Sequence, residues 1–134
     1  VEDTFKEWFV MLMGNETLTA KVDDDFTPVV EADGFEIPVE NLSGGEKTSC
    51  ALAYRLALNM VINNLVSTIR TKDLLILDEP TDGFSAEQLN KLRDVLAQLQ
   101  LPQIIVVSHE ERIESFVQNV IRIQKEQHVS RVVA

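Results

Sequence analysis

The chain is poor in cysteine, in basic residues and in glycine. Its single cysteine, Cys50, excludes an internal disulfide and fits a reducing compartment such as the cytoplasm. No apolar stretch approaches the roughly 20 residues of a membrane-spanning helix. The opening residues, VEDTFKEW, are acidic and aromatic, unlike a secretory leader. They begin at Val1 rather than Met, as expected of a piece excised from a longer chain. Twelve Lys and Arg stand against 22 Asp and Glu, a net charge of −10. That balance argues against strong nucleic-acid binding by this chain alone, though not by a larger assembly with basic patches elsewhere. What is present, 45% apolar and 25% charged residues over 134 positions, suits one compact domain.

Phe5, Trp8, Phe9 and Leu12 recur at helical spacing over residues 1–13, and Gly14-Asn15 reads as the stop. TLTAKV alternates like a strand, and TPVVEADGFEIPV predicts a hairpin turning at Asp33-Gly34. The acidic run Asp23-Asp24-Asp25 between them reads as a solvated turn before a metal site. From Gly44 to about Ile69 the pattern predicts one long helix. Its apolar stripe is Tyr54, Leu58, Ile62, Leu65 and Ile69, widened by Ala51, Leu52, Leu56 and Met60. Its polar stripe is Arg55, Asn59, Asn63 and Ser67. DLLILDEPT and QIIVVSHEE are short continuous apolar runs, the pattern of strands buried on both faces. Ser85 to Leu99 between them predicts a helix with a Ser85/Gln88 capping box and Leu89, Leu92, Leu96 and Leu99 on one face. Two more strands, NVIRIQ and HVSRVV, are expected around a turn at 125–127.

Strand, helix, strand with short loops is a βαβ unit with parallel strands. Both strands then end on one edge of the sheet, the edge at which open α/β sheets bind ligands. Asp78, Glu79, Ser108 and His109 share that edge. A carboxylate just past a strand suits Mg²⁺, and its neighbour can polarise a water. The plainer role is a turn acid, but Pro80 fixes both carboxylates at the strand end. For Ser108 the plainer role is a capping box with Glu111.

Ser43 and Glu46 form a further capping box, which places Gly44-Gly45 in the first turn of the long helix. Each glycine there costs about 1 kcal/mol relative to alanine. A cap needs neither, whereas free N–H groups at an open helix start attract anions. A docked phosphate explains the pair best. No G-x-x-x-x-G-K-[ST] loop exists in the sequence, so the chain is expected neither to bind ATP well nor to hydrolyse it unaided.

In this order, NLSGGEK, LLILDEPT and VVSHE resemble the signature, Walker B and switch-histidine segments of the ATP-binding-cassette family. LSGGEKTSCALAYRLAL is similar to the signature helix of the SbcC/Rad-fifty branch, the DNA double-strand-break repair ATPases. Transporters tend to carry Gln where Glu46 stands, and chromosome-structuring SMC proteins usually lack the Pro-Thr after Glu79. The resemblance spans about residues 35–133. It implies an α/β fold: the carboxy-terminal lobe of a P-loop ATPase head, a mostly parallel sheet flanked by helices, with a β-hairpin region near the amino end. Residues 1–14 would be the end of a returning coiled-coil helix, or simply a core helix, and 15–134 the lobe.

The same resemblance implies the chemistry. Two heads would sandwich ATP and Mg²⁺. Ser43, Gly44, Gly45 and Glu46 would meet the nucleotide held by the opposite head. Asp78 would support Mg²⁺ through water, Glu79 would activate water, and His109 would sense the γ-phosphate in its own head. The loop Asp82-Gly83-Phe84-Ser85 departs from the family's Leu-Asp. Asp82 could substitute, but Ser85 is better read as the cap of its helix. Lys47 and Arg55 would couple the signature helix to the head, Arg55 through Glu87, unless both simply belong to a solvated stripe. Implied partners are the amino-terminal lobe, a second head, a nuclease of the Mre-eleven/SbcD type, and DNA through the full complex, with no membrane. The zinc of that family's hook would lie outside this chain. Implied localisation is cytoplasmic or, in a eukaryote, nuclear. An SMC-type or transporter lobe, or a non-catalytic binding module, are the other readings.

Overall fold

A computed structural model describes residues 1–14, 17–66, 68 and 73–133. The amphipathic pattern at the amino end forms α1 (Glu2–Met13). Phe5, Phe9 and Leu12 are fully buried and Trp8 nearly so. The helix stops at Gly14, whose left-handed backbone (φ 69°) caps it through a hydrogen bond to the Val10 carbonyl. Asn15, the other half of the expected stop, lies outside the described residues.

Three antiparallel strands follow: β1 (Leu18–Val22), β2 (Pro28–Ala32) and β3 (Phe35–Ile37). The β2–β3 turn falls at Asp33-Gly34, both with positive φ. Asp23 Oδ1 accepts from the amides of Asp25 and Thr27, so the acidic run is a side-chain-closed turn.

Helix α2 (Gly44–Leu65) is held at its start by the full Ser43/Glu46 capping box. Its buried face differs from the stripe expected. Ser49, Cys50, Leu52, Ala53, Leu56 and Ala57 face the core, whereas Ile62 and Leu65 are exposed. The buried residues of α2 all lie in its first two-thirds, from Gly45 to Ala57. Beyond Ala57 no described helix residue is buried, so the apolar spacing there fills no core among the described residues. The expected helix end at Ile69 and the polar-stripe Ser67 lie outside the described residues. Cys50 is buried, and desolvation pushes its thiol up to about 11, so it is a packing residue rather than a nucleophile.

The βαβ unit is β4 (Leu74–Asp78), α3 (Ala86–Gln98) and β5 (Gln103–Val107), with β4 and β5 parallel and Asp78 opposite Val107. Leu75 and Leu77 point into one core with Leu92, Val95, Phe5 and Leu56. The other face of the sheet corrects the sequence reading: Ile76, Ile105 and Val107 are 50%, 40% and 51% exposed. These runs are apolar on both faces, yet among the described residues only one face is covered.

Residues Glu111–Phe116 form a 3₁₀ helix, and β6 (Arg122–Glu126) pairs with β7 (Val129–Val133). Their turn is Gln127-His128, both with positive φ, two residues later than the start expected. The misplacement has a simple cause, since neither residue is the glycine or asparagine that normally marks such a turn. Parallel pairing is confined to β4 and β5 among the described residues. No described helix is long and apolar enough to cross a membrane.

Candidate functional site

The parallel register places the ends of β4 and β5 side by side, and backbone hydrogen bonding continues one residue further. The Glu79 amide donates to the Val107 carbonyl at 2.8 Å. Glu79 itself takes a left-handed backbone, φ 45°. A non-glycine residue there stores on the order of 1 kcal/mol or more of strain, which persists where the surroundings enforce it. Here Pro80, buried, and the Val107 bond enforce it. The consequence is that the side chain meets His109, whose Nδ1 lies 2.9 Å from Glu79 Oε2. Thr81 Oγ1 and Ser108 Oγ lie 3.5 Å apart beneath them. Thus two residues 30 positions apart in sequence form one pair at the sheet edge.

Glu79 is the first cause of the upward shift of the His109 imidazole above its ordinary 6.5, with Asp82 and Glu110 adding smaller attractions. The sign follows: the pair favours the folded state fully below pH 6.5, and that contribution fades as pH rises through the raised folded value. Titrating His109 by NMR should give a midpoint above 6.5, falling back in Glu79→Gln. An unmoved midpoint would mean the two side chains do not meet in solution.

Ser108 does not cap with Glu111 as expected. Its hydroxyl accepts from the Glu110 amide at 3.1 Å, and Glu110 caps the 3₁₀ helix by accepting from the Arg112 amide. Arg112 also grips Glu110 bidentately, and this holds the Glu110 carboxyl down at about 2. The cap thus moves two residues, from Ser108 to Glu110, and the ion pair with Arg112 favours Glu110 as the acceptor.

The two glycines of the opening turn of α2 turn out to have different reasons. Neither has positive φ. A Cβ at Gly45 would sit 2.8 Å from Gln88 Oε1 and 3.0 Å from the Gly83 carbonyl, so internal packing alone demands glycine there. A Cβ at Gly44 would meet nothing within 4 Å. Gly44 and Ser43 are exposed and Gly45 is buried. Gly45 thus has a packing reason of its own, and only Gly44 lacks an internal explanation. Glu46 is spent on the cap, its Oε2 accepting from the Ser43 amide at 2.7 Å.

Gly83, with φ 75°, brings the loop after β4 onto this turn, and a Cβ there would lie 3.1 Å from Gly44 C. Phe84 tucks against the core, Asp82 is exposed, and Ser85 is the N-cap of α3 with Gln88, as read. The Arg55–Glu87 pair does not form. Glu87 instead binds Lys91 one turn along its own helix at 2.7 Å, and Arg55 is exposed without a partner among the described residues. Lys47 Nζ donates to the Glu40 carbonyl at 3.3 Å, a local tie to the 3₁₀ turn Val39–Asn41 that precedes α2. Sequence reasoning missed Gln88 as more than a cap: its Nε2 donates to the buried Ser49 Oγ at 3.2 Å. The available signal was the one-turn spacing of a small polar residue, Ser49, from Gly45 on one helical face.

Asp78 and Glu79, both exposed at the strand end, offer the oxygen donors a hard cation prefers. Among the described residues no three His, Cys, Asp or Glu side chains gather as a self-sufficient metal site. The donor set therefore fits an ion such as Mg²⁺ that takes one or two carboxylates and completes its shell with phosphate and water.

No family model matches the chain. It is 42% identical over 102 residues to the DNA double-strand break repair Rad50 ATPase of Pyrococcus abyssi, covering 75% of this chain and 11% of that protein. The Rad50 ATPase of Archaeoglobus fulgidus is 41% identical over 102 residues, covering 74% and 11%. The chain thus spans about a tenth of the length of these relatives. In fold it is similar to a solved chain from a study of ATP-driven dimerization of SMC ATPases. The TM-score is 0.73 at 20% identity, covering 98% of this chain and 81% of that one. The SMC head domain from Thermotoga maritima gives a TM-score of 0.67 at 18% identity, covering 99% and 46%. The chain belongs with the Rad50 ATPases in sequence, and in fold it fits the carboxy-terminal lobe of a Rad50/SMC-type ATPase head.

Proposed function

We propose that this chain is the signature and Walker B half of an ATPase head that closes on ATP against a second head and hydrolyses it in DNA double-strand-break repair. The observation that carries the reading is Gly44: an exposed glycine at the first position of a 22-residue helix, beside an exposed Ser43, with nothing of its own chain to avoid. Unpaired N–H groups and the helix dipole make such a start attractive to phosphate. The uncovered sheet face supports the same reading. Ile76, Ile105 and Val107, with Ile121 just before β6 and Ile123 and Val132 in the β6–β7 ribbon, leave apolar surface where a further lobe would pack. A lone two-stranded ribbon is marginal without such packing.

In this scheme the amino-terminal lobe brings the phosphate-cradling loop that this sequence lacks. Asp78 would hold Mg²⁺ through water, and the ion would neutralise charge on the phosphates. Glu79 orients the attacking water and accepts its proton. His109, with Nδ1 committed to Glu79, is left with Nε2 to face the γ-phosphate of its own head. Ser43 and the amide of Gly44 meet the nucleotide of the opposite head. Residues 1–14 lead back into a coiled coil, and head closure moves that coil to gate a nuclease of the Mre-eleven type on DNA. The test is ATP-dependent association of the full-length protein, followed by light scattering. Ser43→Arg should abolish the ATP-induced dimer while leaving ATP binding to the P-loop lobe intact. A mutant that dimerises like the wild type would refute the half-site.

A further inference from the structure

Gln88 stands at the crossing of three segments. Its Oε1 accepts from the Ser85 amide at 3.0 Å, and its own amide donates to Ser85 Oγ at 3.2 Å, which completes the cap of α3. Capping requires no more than that. Yet Nε2 continues across to α2 and donates to Ser49 Oγ at 3.2 Å. Ser49 is fully buried and is one of only two buried polar side chains among the described residues. It lies one turn beyond Gly45, on the same face of α2. The Gln88 amide therefore lies along the first turn of α2, with both its polar atoms within 3.2 Å of where a Gly45 Cβ would stand. The Gly83 carbonyl, from the loop that leaves Glu79, lies 3.0 Å from that same point.

We infer that Gln88 is a positioning residue: through Ser49 it fixes the rotation and height of α2 relative to the Glu79–Ser85 loop. It thereby sets the placement of Ser43 and Gly44 against the carboxylates of the same head. The inference rests on the half-site reading above and adds to it the device that holds the two halves of this chain in register. A hydrogen bond between two helices is directional, so its loss lets α2 rotate without unfolding the core around Phe5, Phe9 and Leu56. The first contacts to suffer are those needing register with an opposing head.

Two variants test it in the full-length protein. Ser49→Ala removes the cross-helix bond and leaves the capping box whole. Gln88→Met removes that bond and the side-chain half of the capping box at nearly constant volume. Ser49→Ala should lower kcat for ATP hydrolysis about fivefold, the worth of one hydrogen bond, with KM for ATP held within about twofold. Gln88→Met should lose at least as much, and adding Ser49→Ala to it should cost nothing further. A folded Ser49→Ala protein with wild-type kcat and only a lowered Tm would overturn the positioning role, as would additive losses in the double variant. Ser43→Arg, assayed beside them, separates the two ideas. If it turns over like the wild type, the half-site reading itself fails. If it is dead while Ser49→Ala and Gln88→Met are fully active, only the role of Gln88 falls.

Discussion

Glu79→Gln should leave an intact head that closes on ATP and does not reopen. The amide matches the carboxylate in size and can still hydrogen bond, but it cannot take a proton from water. Removing a positioned general base typically costs about 10²–10⁴ in rate. Hydrolysis in the complete protein should fall by that factor while the ATP-induced dimer persists, measured by phosphate release and by light scattering on one sample. The structure supplies the reason for so large an effect. Glu79 is held in a left-handed backbone by Pro80 and by the Val107 carbonyl, so no neighbouring carboxylate can take its place without rebuilding the turn. Asp78 precedes it on the strand and Asp82 is three residues further round the loop. A loss of only a few-fold would mean that water is activated elsewhere.

Gly44→Asp should separate folding from function in opposite directions. The new side chain enters open space, so packing does not resist it. An acid in the first turn of a helix adds about 0.3–1 kcal/mol through the dipole. Replacing glycine where φ is already negative adds about 0.4–1 kcal/mol by restricting the unfolded chain. The melting temperature should hold or rise. A carboxylate at that position repels an approaching triphosphate, and ATP-driven dimerisation should weaken on the order of 100-fold or more. At Gly45 the same substitution should unfold the turn, because Gln88 and Gly83 already occupy the space. If Gly44→Asp dimerises normally, this glycine is not there to admit a ligand.

The elements themselves were legible because their signals are local. Ser43/Glu46 and Ser85/Gln88 announced both helix starts, and Phe5, Trp8, Phe9 and Leu12 announced the face of α1. The meeting of Glu79 with His109 was legible through topology, since parallel strands must end on one edge. What the sequence concealed depends on what covers what. The alternation within LLILD and QIIVV is apolar throughout, so nothing marked Ile76 and Ile105 as uncovered. Apolar spacing along α2 continues past Ala57, where the described residues provide no further core. Partners of long side chains were illegible for a different reason. Glu87 had both Arg55 and Lys91 within conceivable reach, and the one on its own helix, four residues on, prevailed. The glycine pair looked like one feature because a sequence shows no neighbours. Only the packing of Gly83 and Gln88 divides it into a structural Gly45 and an unexplained Gly44.

The central claim is that this chain holds half of a composite ATP site. The most direct measurement mixes it with the separately prepared amino-terminal lobe of the same protein and follows phosphate release with ATP and Mg²⁺. The account predicts negligible release from either piece alone and sustained turnover from the mixture, lost again with Glu79→Gln. Turnover by this chain alone, or a mixture no more active than the amino-terminal lobe by itself, would contradict it.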